Sequence, residues 1–355
     1  MSYLKRLGRG ARTLLLLPVW TIQLLTGAKS FADNPIIGSS ALNRRGLHVR
    51  RLLLAHRLAA IRRRMLAAGV GAEDRAAFER DGFLVKPDFL PADLFQALLA
   101  EVKTYRGPAR ETVQGDTVTR RIALDPKILA KLPALRRTIE LPAFQGITRY
   151  VNSFDVEPMF YLQTILTHAR KGPPDPQLKL HADAFQPSVK AWLFLTDVEE
   201  RAAPFMYVPG SHKPTKARLA WEKAMSIAVS GEGEGERLSR RGSFRVDPAD
   251  LPALDLPEPK AVAVRANTLV VADMFGFHAR GISDQPSMRV EIWAYGRHSP
   301  FVPWAFSPLW RSKMVARNRV GIFWWWGDRL EKLGVKTNVW HRRDDSSAFD
   351  EKTEF

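Results

Sequence analysis

His181 and Asp183 stand two residues apart in Lys179-Leu180-His181-Ala182-Asp183, with a second candidate histidine, His278, and an arginine, Arg289, far along the chain. In extended backbone, residues i and i+2 point to the same face, so an imidazole nitrogen and a carboxylate oxygen can reach one ion together. A third ligand from a distant strand would complete the set. Two histidines and one carboxylate on one face of an octahedron suit Fe(II) in oxygenases, because the opposite face stays open for a co-substrate and O2. Cysteine is absent. That excludes disulfides, thiolate metal sites and a cysteine nucleophile, leaves His, Asp and Glu to bind metal, and fits a reducing compartment.

The elements that must position these residues are legible around them. Residues 73–80 read as a short helix, 82–85 as a strand ended before Pro87, and 91–102 as a helix with Pro91 at its start. Residues 160–167, 181–184, 189–195, 205–208, 261–264, 268–271 and 290–295 read as short strands separated by Pro, Gly and charged turns. A few helices followed by many short strands predict a mainly β fold with α support, a double-stranded β-helix (jelly roll, cupin-like) core with flanking helices. Gly231-Glu232-Gly233-Glu234-Gly235 falls in a polar insertion and reads as a mobile loop. The length of 355 residues predicts one catalytic domain with terminal additions. The expected division is a basic, partly amphipathic helical segment at 1–72, the catalytic domain at 73–299 and a Trp/Arg-rich extension at 300–355.

A lone His-x-Asp is a weak signal, and its surroundings make it specific. An apolar strand, Val189-Lys190-Ala191-Trp192-Leu193-Phe194-Leu195, follows it and runs into Thr196-Asp197. Then come the turn Pro209-Gly210-Ser211-His212, and His278 closing Asp273-Met274-Phe275-Gly276-Phe277-His278, with Arg289 eleven residues later. With the opening Phe78-Glu79-Arg80-Asp81-Gly82-Phe83-Leu84-Val85, these features resemble the phytanoyl-CoA dioxygenase family of Fe(II)- and 2-oxoglutarate-dependent oxygenases over about residues 74–296. Carried over position by position, the resemblance implies His181, Asp183 and His278 as iron ligands. It implies Arg289 as partner of the distal carboxylate of 2-oxoglutarate, with O2 as the other co-substrate. Gln163 and Thr167, on the preceding strand and spaced to face one side, resemble the family's polar contacts to 2-oxoglutarate. Where many relatives have a small polar residue two positions after the distal histidine, this chain has Arg280, either a second anion contact or a surface charge. His212, in its Pro-Gly turn, reads as structural, and His48, His56, His168, His298 and His341 have no carboxylate at ligand spacing.

Charge concentrates at the N-terminus. The net charge is +17, and residues 1–70 hold thirteen lysines and arginines, from Lys5 and Arg6 to Arg64, against the single acid Asp33. Such a block meets nucleic acid or an anionic membrane. Residues 14–25 are apolar but interrupted by Pro18, Thr21 and Gln23, and they fall short of the roughly 20 residues needed to span a bilayer. Leu47, Leu54, Leu58, Ile61 and Met65 share a helical stripe flanked by Arg50, Arg57 and Arg64 on one side and Arg51 and Arg62 on the other, the pattern of a helix lying on an anionic surface. The alternatives are packing on the catalytic domain with solvated arginines, or a secretory leader cleaved near Ser30-Phe31-Ala32 that Pro18 and Gln23 weaken. Trp304, Trp310, Trp324, Trp325, Trp326 and Trp340, set among arginines such as Arg311, suit a membrane interface, a latch over the core, or stacking on a single-stranded nucleic acid. Nucleic acid is disfavoured at the N-terminus because its arginines flank leucines instead of a stacking platform.

These readings predict a cytoplasmic hydroxylase, peripheral on the inner membrane face, that uses Fe(II), 2-oxoglutarate and O2 and releases succinate and CO2. The expected substrate is hydrophobic and anionic, an acyl thioester or a membrane lipid. The alternatives are the same chemistry on a small soluble metabolite, or a non-catalytic jelly roll that binds lipid or RNA. Asp183, in place of the Ala or Gly of related halogenases, favours hydroxylation. No protein partner is inferable.

Overall fold

The computed structural model describes residues 9–231, 236–306, 312–335 and 337–353, with side chains from residue 14 onward. Residues 232–235 of the glycine-glutamate insertion, Trp310 and Arg311 of the extension, and Lys5 and Arg6 lie outside the described residues. The helices are α1 (Arg9–Gln23), α2 (Ser40–Arg44), α3 (Leu47–Leu66), α4 (Ala72–Asp81), α5 (Ala92–Thr104), α6 (Pro126–Lys131), α7 (Pro133–Ile139), α8 (Pro142–Asn152), α9 (Lys216–Ala228), α10 (Arg237–Arg240) and α11 (Lys313–Lys332). The strands are β1 (Phe83–Lys86), β2 (Gly107–Gln114), β3 (Thr117–Ala123), β4 (Met159–Leu166), β5 (Val189–Phe194), β6 (Phe205–Tyr207), β7 (Lys260–Val262), β8 (Leu269–Asp273), β9 (His278–Arg280), β10 (Met288–Gly296) and β11 (His341–Ser346). Helices hold more of the described residues than strands, so the chain is mixed α/β, which corrects the mainly β expectation. Part of the difference is α6, α7 and α8, where Pro126, Pro133 and Pro142 each occupy a first helical turn. Proline is preorganised for that position, although a run of closely spaced prolines reads as turns.

An eight-stranded antiparallel sheet runs in the order β1-β8-β5-β10-β4-β3-β2-β11, and a three-stranded sheet in the order β7-β6-β9. Strand alternation sends the residues of the large sheet two ways. Phe160, Leu162, Ala191, Leu193, Val290 and Ile292 join Leu98, Leu135, Phe144 and Val151 from α5, α7 and α8 in the main core. Their neighbours Tyr161, Trp192 and Trp293 turn to the other face and meet Phe205, Tyr207 and Val262 of the small sheet. The cavity described below opens on this inner face.

β2, β3 and β11 carry no apolar alternation and were not expected as strands. β11 (His341-Arg342-Arg343-Asp344-Asp345-Ser346) pairs with β2 at the sheet edge, where charged side chains protect against further pairing. Buried Glu111 on β2 is neutralised by Arg120 at 2.7 Å and Arg343 at 2.9 Å. Gly115 makes the β2–β3 turn at φ +65°, and a Cβ there would sit 2.4 Å from the Pro173 carbonyl oxygen. The expected strand at 181–184 reduces to isolated bridges at His181.

The N-terminal arginines divide into two sets. Arg50, Arg57 and Arg64 are exposed, alongside exposed Leu54, Ile61 and Met65. Arg51 and Arg62, expected beside the same stripe on a membrane surface, are buried instead. Arg51 donates to the carbonyls of Leu24, Thr26 and Ala28 at 3.1, 3.0 and 2.8 Å. Arg62 donates to Ser153 O at 3.0 Å, Ser153 Oγ at 3.0 Å, Pro300 O at 3.1 Å and Val302 O at 2.5 Å. The guanidinium fork satisfies loop carbonyls that would otherwise be left without donors inside the protein. Arg62→Met strands those acceptors and should destabilise the fold by about 3 kcal/mol, read as a fall in thermal midpoint. An unchanged midpoint would mean that α3 is not anchored in this way.

Candidate metal centre

The centre is assembled from a short extended segment and one strand. His181 N donates to His278 O at 2.9 Å and His278 N to His181 O at 3.0 Å, which sets the two imidazoles side by side with ring centroids 4.4 Å apart. Asp183 N donates to Met274 O at 2.9 Å. The Asp183 Oδ1 atom then lies 3.6 Å from both His181 Nε2 and His278 Nε2. Among the described residues these three form the one cluster whose ligand atoms could hold a metal, all within 4.8 Å of one another. The structure thus brings the three residues singled out in the sequence together in space. His48 and His168 do find carboxylates, Glu222 at 2.7 Å and Asp116 at 3.0 Å, but without a third donor.

Each histidine is held in the tautomer a metal needs. His181 Nδ1 donates to Lys179 O at 2.8 Å and His278 Nδ1 to Gly276 O at 2.9 Å, so both Nε2 atoms are free to act as acceptors. His278 Nε2 is buried with no hydrogen-bond partner. An orphaned acceptor aimed at a second imidazole and a carboxylate fits a divalent cation. Burial, and then His278, holds the His181 imidazole well below the ordinary histidine value, so it is neutral and able to ligate. Burial opposes ionisation of Asp183, but Lys190 and the histidines outweigh it and keep the carboxyl well below its usual range.

The turn into His278 is braced from several sides. Buried Asp273 accepts from Ser188 N at 3.2 Å, Phe275 N at 3.1 Å and Arg63 at 2.9 Å, which ties α3 to this turn. Ser211 of the Pro-Gly-Ser-His turn accepts from Phe277 N at 2.8 Å. His212 has no metal-ligand partner, in keeping with a structural role, and burial depresses its pKa to about 3. Gly276 cannot carry a side chain, since a Cβ would fall 1.8 Å from the Tyr207 hydroxyl.

β10 lines the cavity with Arg289, Trp293 and Tyr295, followed by Arg297 just past its end, while Glu291 on the same face is fully buried; β4 contributes Tyr161, Gln163 and Ile165 beside it. Arg289 lines the cavity and donates to Ala203 O at 2.5 Å. Its Nε lies 2.8 Å from Glu291 Oε2, yet neither atom has an aligned hydrogen bond. Gln163 bridges a polar row, accepting from Arg121 at 2.7 Å and donating to Glu291 at 2.6 Å. Arg280 also lines the cavity and is ion-paired with buried Asp175. The structure does not bring Thr167 there. It follows the end of β4, and its hydroxyl shares a 2.8 Å hydrogen bond with Ser287.

At the other end, Lys190 lies 2.7 Å from Asp183 Oδ2, and Lys29 bonds to the Asp183 main-chain oxygen. Burial and then Arg297 lower the Lys29 pKa to about 8. Between the two ends lie Tyr161, Trp192, Trp293 and Tyr295, with Phe323 and Trp340 arriving from the C-terminal extension, and the whole encloses about 550 Å³. Sequence reading missed Glu291, Lys190, Arg121, Lys29 and Arg297. The first two were within reach, since they share the face of Arg289 and Trp192 by strand alternation. Lys29 carried no local signal.

The pattern described as Phytanoyl-CoA dioxygenase (PhyH) matches residues 78–236. Over those residues the chain is similar to this family. The matching stretch is thus that of a family of Fe/2-oxoglutarate-dependent oxygenases. Comparison with curated proteins finds no match. Among solved structures it is similar to the non-heme alpha ketoglutarate dependent carbocyclase SnoK from nogalamycin biosynthesis, at 20% identity over 65% of this chain and 84% of that one, with a TM-score of 0.41. It is also similar to HygX from Streptomyces hygroscopicus with nickel and 2-oxoglutarate bound, at 18% identity over 64% of this chain and 87% of that one, with a TM-score of 0.39. In the family's match, His181 and Asp183 fall inside the covered residues, whereas His278, Arg289 and Lys29 lie outside them.

Proposed function

We propose that the protein is a hydroxylase with a jelly-roll core that oxidises a hydrophobic substrate bearing an acidic group. The observation that carries this reading is the buried, unpartnered His278 Nε2 beside His181 and Asp183, opening on an aromatic cavity with cations at both ends. His181, Asp183 and His278 would hold Fe(II), and Arg289, with Gln163 beside it, would receive the distal carboxylate of 2-oxoglutarate. When bound, iron and 2-oxoglutarate supply O2 activation, with one oxygen atom going to substrate and the other to succinate as CO2 leaves.

The chain's own residues prepare that chemistry. Arg121, Arg280 and Arg289 face Glu291 and Asp175 at the inner end. One unbalanced positive charge remains, which a carboxylate would neutralise with charge-assisted bonds. Lys190 holds the outer oxygen of Asp183 and leaves Oδ1 toward the histidines. Trp192, Trp293 and Tyr295 exclude water from the substrate's path. The protein supplied with Fe(II), ascorbate and 2-oxoglutarate should release succinate, and absence of any metal-dependent release would contradict the reading.

The surroundings of the mouth support work at an anionic membrane. No helix among the described residues is long and apolar enough to cross a bilayer. α1 nevertheless presents exposed Leu14 (74%), Leu15 and Ile22, with exposed Leu25 in the turn after it, and that turn is tied to the mouth through Arg297 to Gly27 O at 2.6 Å. α11 presents exposed Met314, Ile322, Trp325 and Trp326 beside Arg329 and Lys332, while its Phe323 lines the cavity. Two apolar faces with basic neighbours on either side of one opening match a headgroup surface. Because α3 is bonded into the core, point variants are a sounder test than N-terminal truncation. The protein should float with vesicles of phosphatidylcholine and phosphatidylglycerol, and Leu14→Ser/Ile22→Ser/Trp325→Ser/Trp326→Ser should stay behind. A wild-type protein that does not float would favour a small soluble substrate.

A further inference from the structure

Two cations at the cavity mouth, Lys29 and Arg297, have no task in metal or co-substrate binding. Lys29 comes from the segment after α1, outside the residues matched by the family pattern, and lays its ammonium against the Asp183 carbonyl oxygen. Arg297 follows β10 and, among the described residues, bonds only main-chain Gly27 and its neighbour Tyr295. Lys190 stands at Asp183. Arg245, bridged through its backbone to His181, has a buried Nε without a hydrogen bond, and Glu236 is 3.8 Å away. Four cations therefore gather against two carboxylates, Glu236 beside Arg245, and Asp183, which is a candidate metal ligand. Neither Lys29 nor Arg297 forms an ion pair with an acid among the described residues.

Like charges gathered in a partly buried site repel one another, a standing cost that an entering anion removes. β10 shows where the anion would sit relative to the rest of the ligand. Arg289 on β10 and Arg297 just past its end both line the cavity, eight residues and so roughly 27 Å apart along the chain, with Trp293 and Tyr295 between them. One end is matched to 2-oxoglutarate, which leaves the other for a second anion.

The geometry points to an oxyanion seat made by Lys29 and Arg297 that binds the acidic group of the substrate, with the apolar part lying along Tyr295, Trp293 and Trp192 toward the metal ligands. This deepens the hydroxylase reading and rests on it for what happens next to the substrate. A phosphate and a carboxylate share the required chemistry, and the probes below separate them. The N-terminal segment is thereby part of the active site, because without it the seat loses its ammonium.

The test is calorimetric titration of the anaerobic protein, loaded with Fe(II) and 2-oxoglutarate, with octyl phosphate, octanoate and octanol. At least one of the two anions should bind about tenfold or more tightly than octanol. Lys29→Met and Arg297→Met should each lower that anion's affinity by about tenfold or more while leaving octanol binding unchanged, and Lys29→Arg should restore most of it. Octyl phosphate binding tighter than octanoate assigns the seat to a phosphate, and the reverse order to a carboxylate. Octanol binding as tightly as both anions, or anion binding equal in wild type and both methionine variants, overturns the proposal. Should Lys29→Met fail to fold, Arg297→Met carries the same comparison. Lys29-dependent anion binding by a protein that never consumes 2-oxoglutarate would leave the seat standing and remove the hydroxylase reading.

Discussion

His278→Ala should yield a folded protein that binds Fe(II) more than about 100-fold less tightly than the wild type and releases no succinate. Removing a group that merely orients a metal ligand already costs about 10–100-fold in metal affinity or activity, so removing the ligand itself costs more. The fold should tolerate the change, because the backbone bonds that pair His278 with His181 do not involve the side chain. His278 Nε2 also has no partner to leave stranded. Asp183→Ala should be at least as severe. It deletes the charged ligand and leaves Lys190 facing the histidines without its 2.7 Å counter-ion. Metal content after gel filtration, with near-ultraviolet circular dichroism as the folding check, decides both cases. Wild-type iron retention in His278→Ala would remove this histidine from the site.

Arg289→Leu should separate co-substrate binding from metal binding. Arg289 is the inner cation nearest Glu291, and Glu291 is fully buried. Truncating one member of a buried charge pair costs about 2–5 kcal/mol, part of it from leaving the partner charge alone. The affinity for 2-oxoglutarate should therefore fall by about 30-fold or more, with Fe(II) binding retained. Adding Glu291→Gln removes the stranded carboxylate and should recover stability, but it should not recover 2-oxoglutarate affinity. Equilibrium dialysis of 2-oxoglutarate against the single and double variants makes the comparison. Full affinity in Arg289→Leu would move the carboxylate site to Arg280 or Arg121.

The parts of this centre that local pattern specifies could be read before any coordinates. His181 and Asp183 share a face by the period of extended chain, and β5, β8 and β10 announce themselves as apolar runs bounded by turns. Arg289 is placed by its position at the head of β10. Residues whose role depends on where the chain returns in space were not legible. Arg51, Arg62 and Arg63 look like a solvated basic face, yet they are fixed by carbonyls of Leu24, Ser153 and Val151 that sequence spacing does not reveal. Lys29 reads as one more basic residue after an apolar run, and only the packing of its segment against Asp183 and Arg297 gives it a place in the cavity. β11 was hidden because an edge strand can be almost wholly charged. The tryptophans of the extension split in a way composition cannot show. Trp324 and Trp340 close over Arg110 and Arg121, while Trp304, Trp325 and Trp326 face solvent.

The central claim is that His181, Asp183 and His278 together hold one ferrous ion. X-ray absorption of the anaerobic protein loaded with Fe(II) and 2-oxoglutarate counts the imidazoles around the metal directly. The account predicts one iron per chain in an oxygen and nitrogen environment with two imidazoles, reduced to one in either His181→Ala or His278→Ala wherever residual iron is retained. A spectrum without imidazole scattering, or one that neither substitution alters, would contradict it.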